Sequence, residues 1–210
     1  MSNTFFITGS STEVGKTIAS AIVAEALEAD YWKPIQAGEL DNTDTHKVRR
    51  LVSNSKTKFH KNAFNLTGFM SPHAAAEIDG VVVSAIKIKR PSTKNELVIE
   101  GAGGLMVPIN DAEMIVDLIK PSDKVIVVSR HYLGSINHTL LTIDALQKRK
   151  LNVFGILFSG DSNPATERII EKMSGAFILG RIDEEPYFDQ NVVKEYADKF
   201  KDIFTERLSK

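Results

Sequence analysis

The segment Gly9-Ser10-Ser11-Thr12-Glu13-Val14-Gly15-Lys16-Thr17 constrains the fold more than any other part of this chain. It follows an apolar run, Phe5-Phe6-Ile7-Thr8, and precedes Ile18-Ala19-Ser20-Ala21-Ile22-Val23, which reads as a helix. Strand, glycine loop, Gly-Lys-Thr and helix together form the arrangement that cradles the phosphates of a nucleoside triphosphate. Loop amides and a helix N-terminus supply the positive potential. Lys16 is placed to reach the β- and γ-phosphate oxygens, and the Thr17 hydroxyl to bind Mg²⁺. The usual motif has four residues between its glycine and the Gly-Lys pair. Here five separate Gly9 from Gly15, and Ser10 stands where that glycine would be.

Length and charge narrow the partners. A chain of 210 residues suits a single domain spanning 1–210 with a sizeable core. The net charge of −1 gives no broad basic surface, so nucleic acid is not an expected partner and the anion must be held by local geometry. With no cysteine, disulfides, thiol nucleophiles and thiolate metal sites are excluded. No secretory stretch stands at the N-terminus, and no apolar run approaches the ~18 residues that span a bilayer. A cytoplasmic enzyme using ATP, without membrane contact, is the expectation.

Short β-rich runs at 5–8, 31–34, 97–100, 124–128, 153–158 and 176–179 alternate with helical patterns at 16–29, 44–52, 115–119, 135–150 and 165–173. Several runs are continuously apolar, as strands buried on both faces require. Alternation of this kind predicts a doubly wound α/β fold with a mostly parallel sheet. Ligands in such folds sit beyond the carboxyl ends of the strands. The Gly9 loop, Lys33 and Glu100 all fall at expected strand ends. The charged tail, 187–208, reads as a packing helix or helix pair.

Other segments carry candidate chemistry. Lys33-Pro34 ends the second expected strand, and Pro34 keeps Lys33 out of helical geometry. A second ammonium there can stabilise charge on a transferring phosphoryl group. Asp44 precedes a helical pattern and reads either as its cap or as a Mg²⁺ ligand. Glu100-Gly101-Ala102-Gly103-Gly104 places a carboxylate at a strand end before a glycine loop through which backbone can approach a ligand. Leu133-Gly134-Ser135-Ile136-Asn137-His138 opens a helix whose amides suit a carboxylate, with Ser135 as an alternative helix cap. Ser71-Pro72-His73 reads as a turn into a small-residue helix.

Together these pieces resemble the dethiobiotin synthase family. The matching segments are Thr8-Gly9 through Thr17, Lys33-Pro34-Ile35-Gln36, Asp44, Ser71-Pro72-His73, Glu100-Gly101-Ala102-Gly103-Gly104, and Leu133 to His138 with Leu140-Leu141-Thr142. They occur in family order. The resemblance implies a fold of the P-loop nucleoside triphosphate hydrolase type, with Mg²⁺ as cofactor and ATP as co-substrate. It implies that 7,8-diaminononanoate takes up CO₂ as a carbamate, that ATP phosphorylates the carbamate, and that the second amine closes a cyclic urea. It further implies that Thr12, Glu13, Val14, Gly15, Lys16, Thr17 and Ile18 line the phosphate site, with Glu100, Gly101, Ala102 and Gly103 beside them. Thr17, Asp44 and Glu100 would hold the metal. Lys33 would hold the carbamate, with Lys16 and Thr12 sharing in catalysis. Ala37 would line the substrate site. Leu133, Gly134, Ile136 and Asn137 would receive the substrate carboxylate from the partner subunit of a homodimer.

The chain departs from the family pattern at several positions. Ser11 stands where the family usually has Asp, and Ala37 where it has Ser or Thr, which removes one hydroxyl contact worth about 0.5–1.5 kcal/mol. Ser159-Gly160 replaces the adenine-reading Asn after the 153–158 run, and Asp183 stands where proline is usual. Relaxed nucleotide choice is the expectation from these last two. Two other readings of the phosphate loop remain open at this point. One is a related ATP-dependent ligase or amidotransferase domain. The other is a nucleotide-switch ATPase, although Ser10 and Ser11 occupy the positions of its usual second lysine.

Overall fold

The computed structural model describes residues 2–209. Eight strands are formed: β1 (Thr4–Gly9), β2 (Asp30–Trp32), β3 (Ile35–Ala37), β4 (Phe64–Leu66), β5 (Leu97–Gly104), β6 (Lys124–Arg130), β7 (Asn152–Ser159) and β8 (Ile178–Ile182). The helices are α1 (Lys16–Leu27), α2 (Asp44–Leu51), α3 (Pro72–Ile78), α4 (Ser135–Lys148), α5 (Pro164–Ser174) and α6 (Gln190–Leu208). Six strands form one parallel sheet in the order β2-β5-β1-β6-β7-β8. This is the doubly wound α/β arrangement that the alternation predicts.

Successive strand residues point to opposite faces, so each buried strand feeds two cores. Phe5, Ile7, Val98, Ile126, Val128 and Leu157 face α1 and α6. Phe6, Ile99, Val125, Val127, Ile156 and Phe158 belong to the second core, with Ile143 and Leu146 of α4 and Ile170 of α5. The tail forms one long helix rather than two. Val193, Tyr196, Ala197, Phe200 and Phe204 recur at helical spacing on its buried side and close the first core. No helix among the described residues is long and apolar enough to cross a membrane.

Two local expectations need correction, and one element was not expected. The glycine run after Glu100 is not a loop, because β5 continues through it to Gly104. The register jumps from Ile7↔Glu100 to Gly9↔Gly104, so Gly101–Gly103 bulge away from β1 before rejoining it. Gly103 is left-handed at φ 67, which a side chain would resist. Residues 115–118 form a 3-10 turn rather than an α-helix. Finally, β3 and β4 pair as a small separate parallel sheet that no alternation signal announced. Three residues each are too few to show a period.

Candidate functional site

The phosphate loop leaves β1 and crosses the carboxyl ends of β6 and β7. It is anchored twice: Ser10 N–H donates to Val128 O at 2.9 Å, and Ser159 Oγ donates to Val14 O at 2.7 Å. Gly15, at φ 89, makes the left-handed turn into α1. Among the described residues, the backbone N–H groups of residues 11–18 donate to no acceptor within the protein. A run of unspent amides at a helix N-terminus is an anion cradle. Thr12 and Glu13 occupy its exposed outer turn, with Glu13 left-handed at φ 53. Val14 is buried, so only its backbone faces the cradle, and Ile18 packs on the first core.

Beside this cradle, four polar side chains converge from different elements. Lys33, in the link between β2 and β3, places Nζ 2.7 Å from Asp44 Oδ2 and donates to Glu100 Oε1 at 2.9 Å. Thr17 Oγ1 donates to the same Glu100 oxygen at 3.1 Å. Glu100 is 1 % exposed and Lys33 4 %. Burial alone would lower the Lys33 pKa, but the Glu100 and Asp44 carboxylates outweigh it and hold the ammonium above the ordinary lysine value. Asp44 is held below the ordinary aspartate value: burial opposes this shift, and Lys33 and Lys47 outweigh it.

The cap reading of Asp44 is not what forms. Thr43 caps α2, its side chain accepting from His46 N–H, and Asp44 is free to face Lys33. Likewise Gly134, not Ser135, is the N-cap of α4, and it makes no side-chain cap bond.

Thr17 hydrogen-bonds Glu100 directly and Asp44 is joined to it through Lys33 Nζ, so one hydroxyl and two carboxylates stand close together, the hard oxygen set that suits Mg²⁺. Among the described residues, no group of three or more His, Cys, Asp or Glu converges to hold a metal. A cation here would therefore share its coordination with phosphate oxygens and water, as Mg²⁺ does in nucleotide sites.

Two supporting residues escaped the sequence reading. Tyr31, wholly buried on β2, donates its hydroxyl to Glu100 Oε2 at 2.8 Å. Burial, reinforced by the Glu100 charge, pushes its pKa well up, so it remains a donor. Its signal was available: residues i and i+2 of an extended segment share a face, and Tyr31 lies two before Lys33. Gln36 accepts from Asp44 N–H at 3.2 Å and ties β3 to the start of α2. Ala37 ends β3 and is half-buried against the second core.

The remaining candidates lie apart. Leu133, Gly134, Ile136 and Asn137 are exposed around the N-terminus of α4, and Leu133 is fully so. Among the described residues, no hydrogen bond or ion pair joins them to the Lys33 cluster. His73 Nδ1 lies 3.0 Å from Ser71 Oγ, within its own turn.

Residues 3–192 match a family model described as an AAA domain. A protein of Christiangramia forsetii named ATP-dependent dethiobiotin synthetase BioD is 63% identical over 201 residues, covering 96% of this chain and 97% of its own. A protein of the same name from Cytophaga hutchinsonii is 47% identical over 204 residues, covering 96% and 98%. Among solved structures, the septum site-determining protein MinD of Pyrococcus horikoshii, complexed with Mg-ADP, is similar at TM-score 0.58. It is 13% identical, over 96% of this chain and 90% of that one. The pNOB8 ParA protein bound to nonspecific DNA is similar at TM-score 0.60 and 11% identity, over 100% and 98%. These two likenesses speak to the fold alone, that of P-loop ATPases.

Proposed function

Because this chain belongs to the ATP-dependent dethiobiotin synthetase family, we propose that it converts 7,8-diaminononanoate, CO₂ and ATP into dethiobiotin, ADP and phosphate. It is a carbon–nitrogen bond-forming cyclo-ligase of biotin biosynthesis. The observation that carries the assignment of roles is the run of unspent amides at 11–18 beside the Lys33, Asp44, Glu100 and Thr17 cluster.

The chemistry follows from what those groups can stabilise. One amine adds to CO₂, releasing a proton and leaving a carbamate. Carbamate oxygen is a poor leaving group, so the γ-phosphoryl group is transferred to it, giving a carbamic–phosphoric anhydride and ADP. The second amine then attacks the carbonyl carbon, expels phosphate and closes the cyclic urea.

The loop amides and Lys16 hold the triphosphate and take up charge as it moves toward the β–γ bridge. The Lys33 ammonium, at the meeting point of the acids, orients the carbamate and stabilises the equatorial oxygens during transfer. Thr17, Asp44 and Glu100 would hold Mg²⁺, which supplies charge neutralisation to the triphosphate when bound. Tyr31 keeps Glu100 oriented. Ala37, lacking a hydroxyl, would leave the substrate or its carbamate one contact poorer. We place the reaction in the cytoplasm, in keeping with its use of ATP.

A mass-spectrometric assay with 7,8-diaminononanoate, bicarbonate, Mg²⁺ and ATP tests the reading. Dethiobiotin and ADP are expected in equal amounts. ATP hydrolysis that neither needs the diamine nor yields dethiobiotin would overturn it.

The exposed α4 start supports a shared site in a homodimer. Leu133, Ile136 and Leu141 leave apolar surface uncovered around amides that suit a carboxylate. Sedimentation equilibrium is expected to give twice the chain mass, and Leu133→Asp to give a monomer with greatly weakened diamine binding. A monomeric wild-type protein with full activity would remove the shared-site reading.

A further inference from the structure

The Ser159 hydroxyl is spoken for. It is buried and donates to Val14 O at 2.7 Å across 145 residues of sequence. The contact is close-fitting: a Cβ on Gly15 would stand 3.3 Å from both Cβ and Oγ of Ser159. A trans peptide points its C=O and N–H in opposite directions. Fixing the Val14 carbonyl toward Ser159 therefore turns the Gly15 N–H the other way, into the cradle. No cis peptide interrupts this geometry. The carbonyls of an anion-binding loop must point outward if its amides point inward, and each buried one then needs a donor. Val128 on β6 fixes the start of the loop through Ser10 N–H. Ser159 on β7 fixes the turn just before Lys16.

We propose that Ser159 is a positioning residue of the phosphate loop: its hydroxyl holds the Val14–Gly15 peptide so that the Gly15 amide faces the triphosphate. It acts on the phosphates through the loop rather than on the base. Discrimination between nucleotides then does not depend on the residue 159 side chain. This inference rests on the reading of residues 9–17 as the ATP phosphate site.

Calorimetric titration with two probes separates the possibilities: ATP, and inorganic tripolyphosphate, which has no base. Ser159→Ala leaves the buried Val14 carbonyl without its donor. The affinities for ATP and for tripolyphosphate are expected to fall together, each by on the order of five- to tenfold. A loss for ATP with tripolyphosphate unchanged would place Ser159 on the base or ribose and overturn the proposal. Unchanged affinity for both would do the same. Ser159→Cys, nearly isosteric and a weak donor, is expected to fold and to show a smaller loss, again shared by both probes. If the wild-type protein binds neither probe, it is the phosphate-site reading that fails, before Ser159 is tested at all.

Discussion

Lys33→Ala is expected to lower turnover by about 10²–10³-fold while changing ATP affinity less than about threefold. A positioned cation aimed at charge that develops only during transfer contributes to the rate and not to ground-state binding. Single-turnover kinetics with ATP titrated separately reads the two effects apart, and equal losses in both would remove the transition-state role.

The same variant has a second consequence, in the resting protein. Lys33 is the ammonium that neutralises Glu100, and it shares Asp44 with Lys47. Without it, the remaining hydrogen-bond partners of Glu100 among the described residues are the hydroxyls of Thr17 and Tyr31, with the Lys16 ammonium acting on it from further off. Removing one partner of a buried ion pair commonly costs about 3–5 kcal/mol, because the remaining charge stays desolvated. The variant is therefore expected to unfold at clearly lower temperature in a chelating buffer. It should recover part of the loss when Mg²⁺ is added, since Glu100 and Asp44 then gain a cation in place of Lys33. A melting temperature indifferent to Lys33 and to Mg²⁺ would show that the ion pair is of little consequence to the fold.

Lys16→Ala is expected to remove nearly all turnover and most triphosphate affinity together, by on the order of 10²–10³-fold or more. Lys16 opens α1 and is largely buried, its ammonium folded back to donate to Ser11 O at 3.1 Å. Burial pushes its pKa down to about 8; the Glu100 carboxylate opposes that shift and Lys33 adds to it. Near pH 8 a fraction of the nucleotide-free molecules thus carries a neutral Lys16, and a bound triphosphate favours the charged form. ATP binding is expected to take up protons at pH 8, and fewer at Lys16 as the pH is lowered toward 6. The slope of binding heat against buffer ionisation heat measures it, and Lys16→Ala should abolish it. The sign for stability is opposite to that of a paired lysine. The folded pKa lies below the ordinary lysine value of 10.5, so the unfolded chain binds more protons between about 8 and 10.5. The contribution of this group to stability is fully present above that window and is lost as the pH falls through about 8.

Much of the candidate site is legible in the sequence. The Gly9–Thr17 spacing predicted the cradle and its placement between strand and helix, since that motif is local and its backbone geometry is dictated by neighbours in sequence. Alternating apolar runs predicted the parallel sheet, and the sheet brings its strand ends to one side. Asp44 illustrates the limit. As a residue at a helix start it had two readings, and the choice fell to Thr43, which takes the cap and leaves the carboxylate for Lys33. Glu100 likewise stands where expected, but within a strand that bulges and resumes, because Gly104 re-pairs with Gly9. The pairing of β3 with β4 depends on residues some thirty positions apart and left no local trace.

The sequence by itself determined the fold class, the phosphate loop and the set of charged residues offered to the site. These rest on periodicity and on short-range backbone constraints that each segment carries alone. Only the tertiary structure decided how those residues are used. It joined Lys33 to both acids, set Tyr31 behind Glu100, and turned the Ser159 hydroxyl onto the phosphate loop instead of toward solvent. The physical reason is common to all three. A buried charge or polar atom must find a partner, and which partner stands within 3 Å depends on how distant strands are laid side by side.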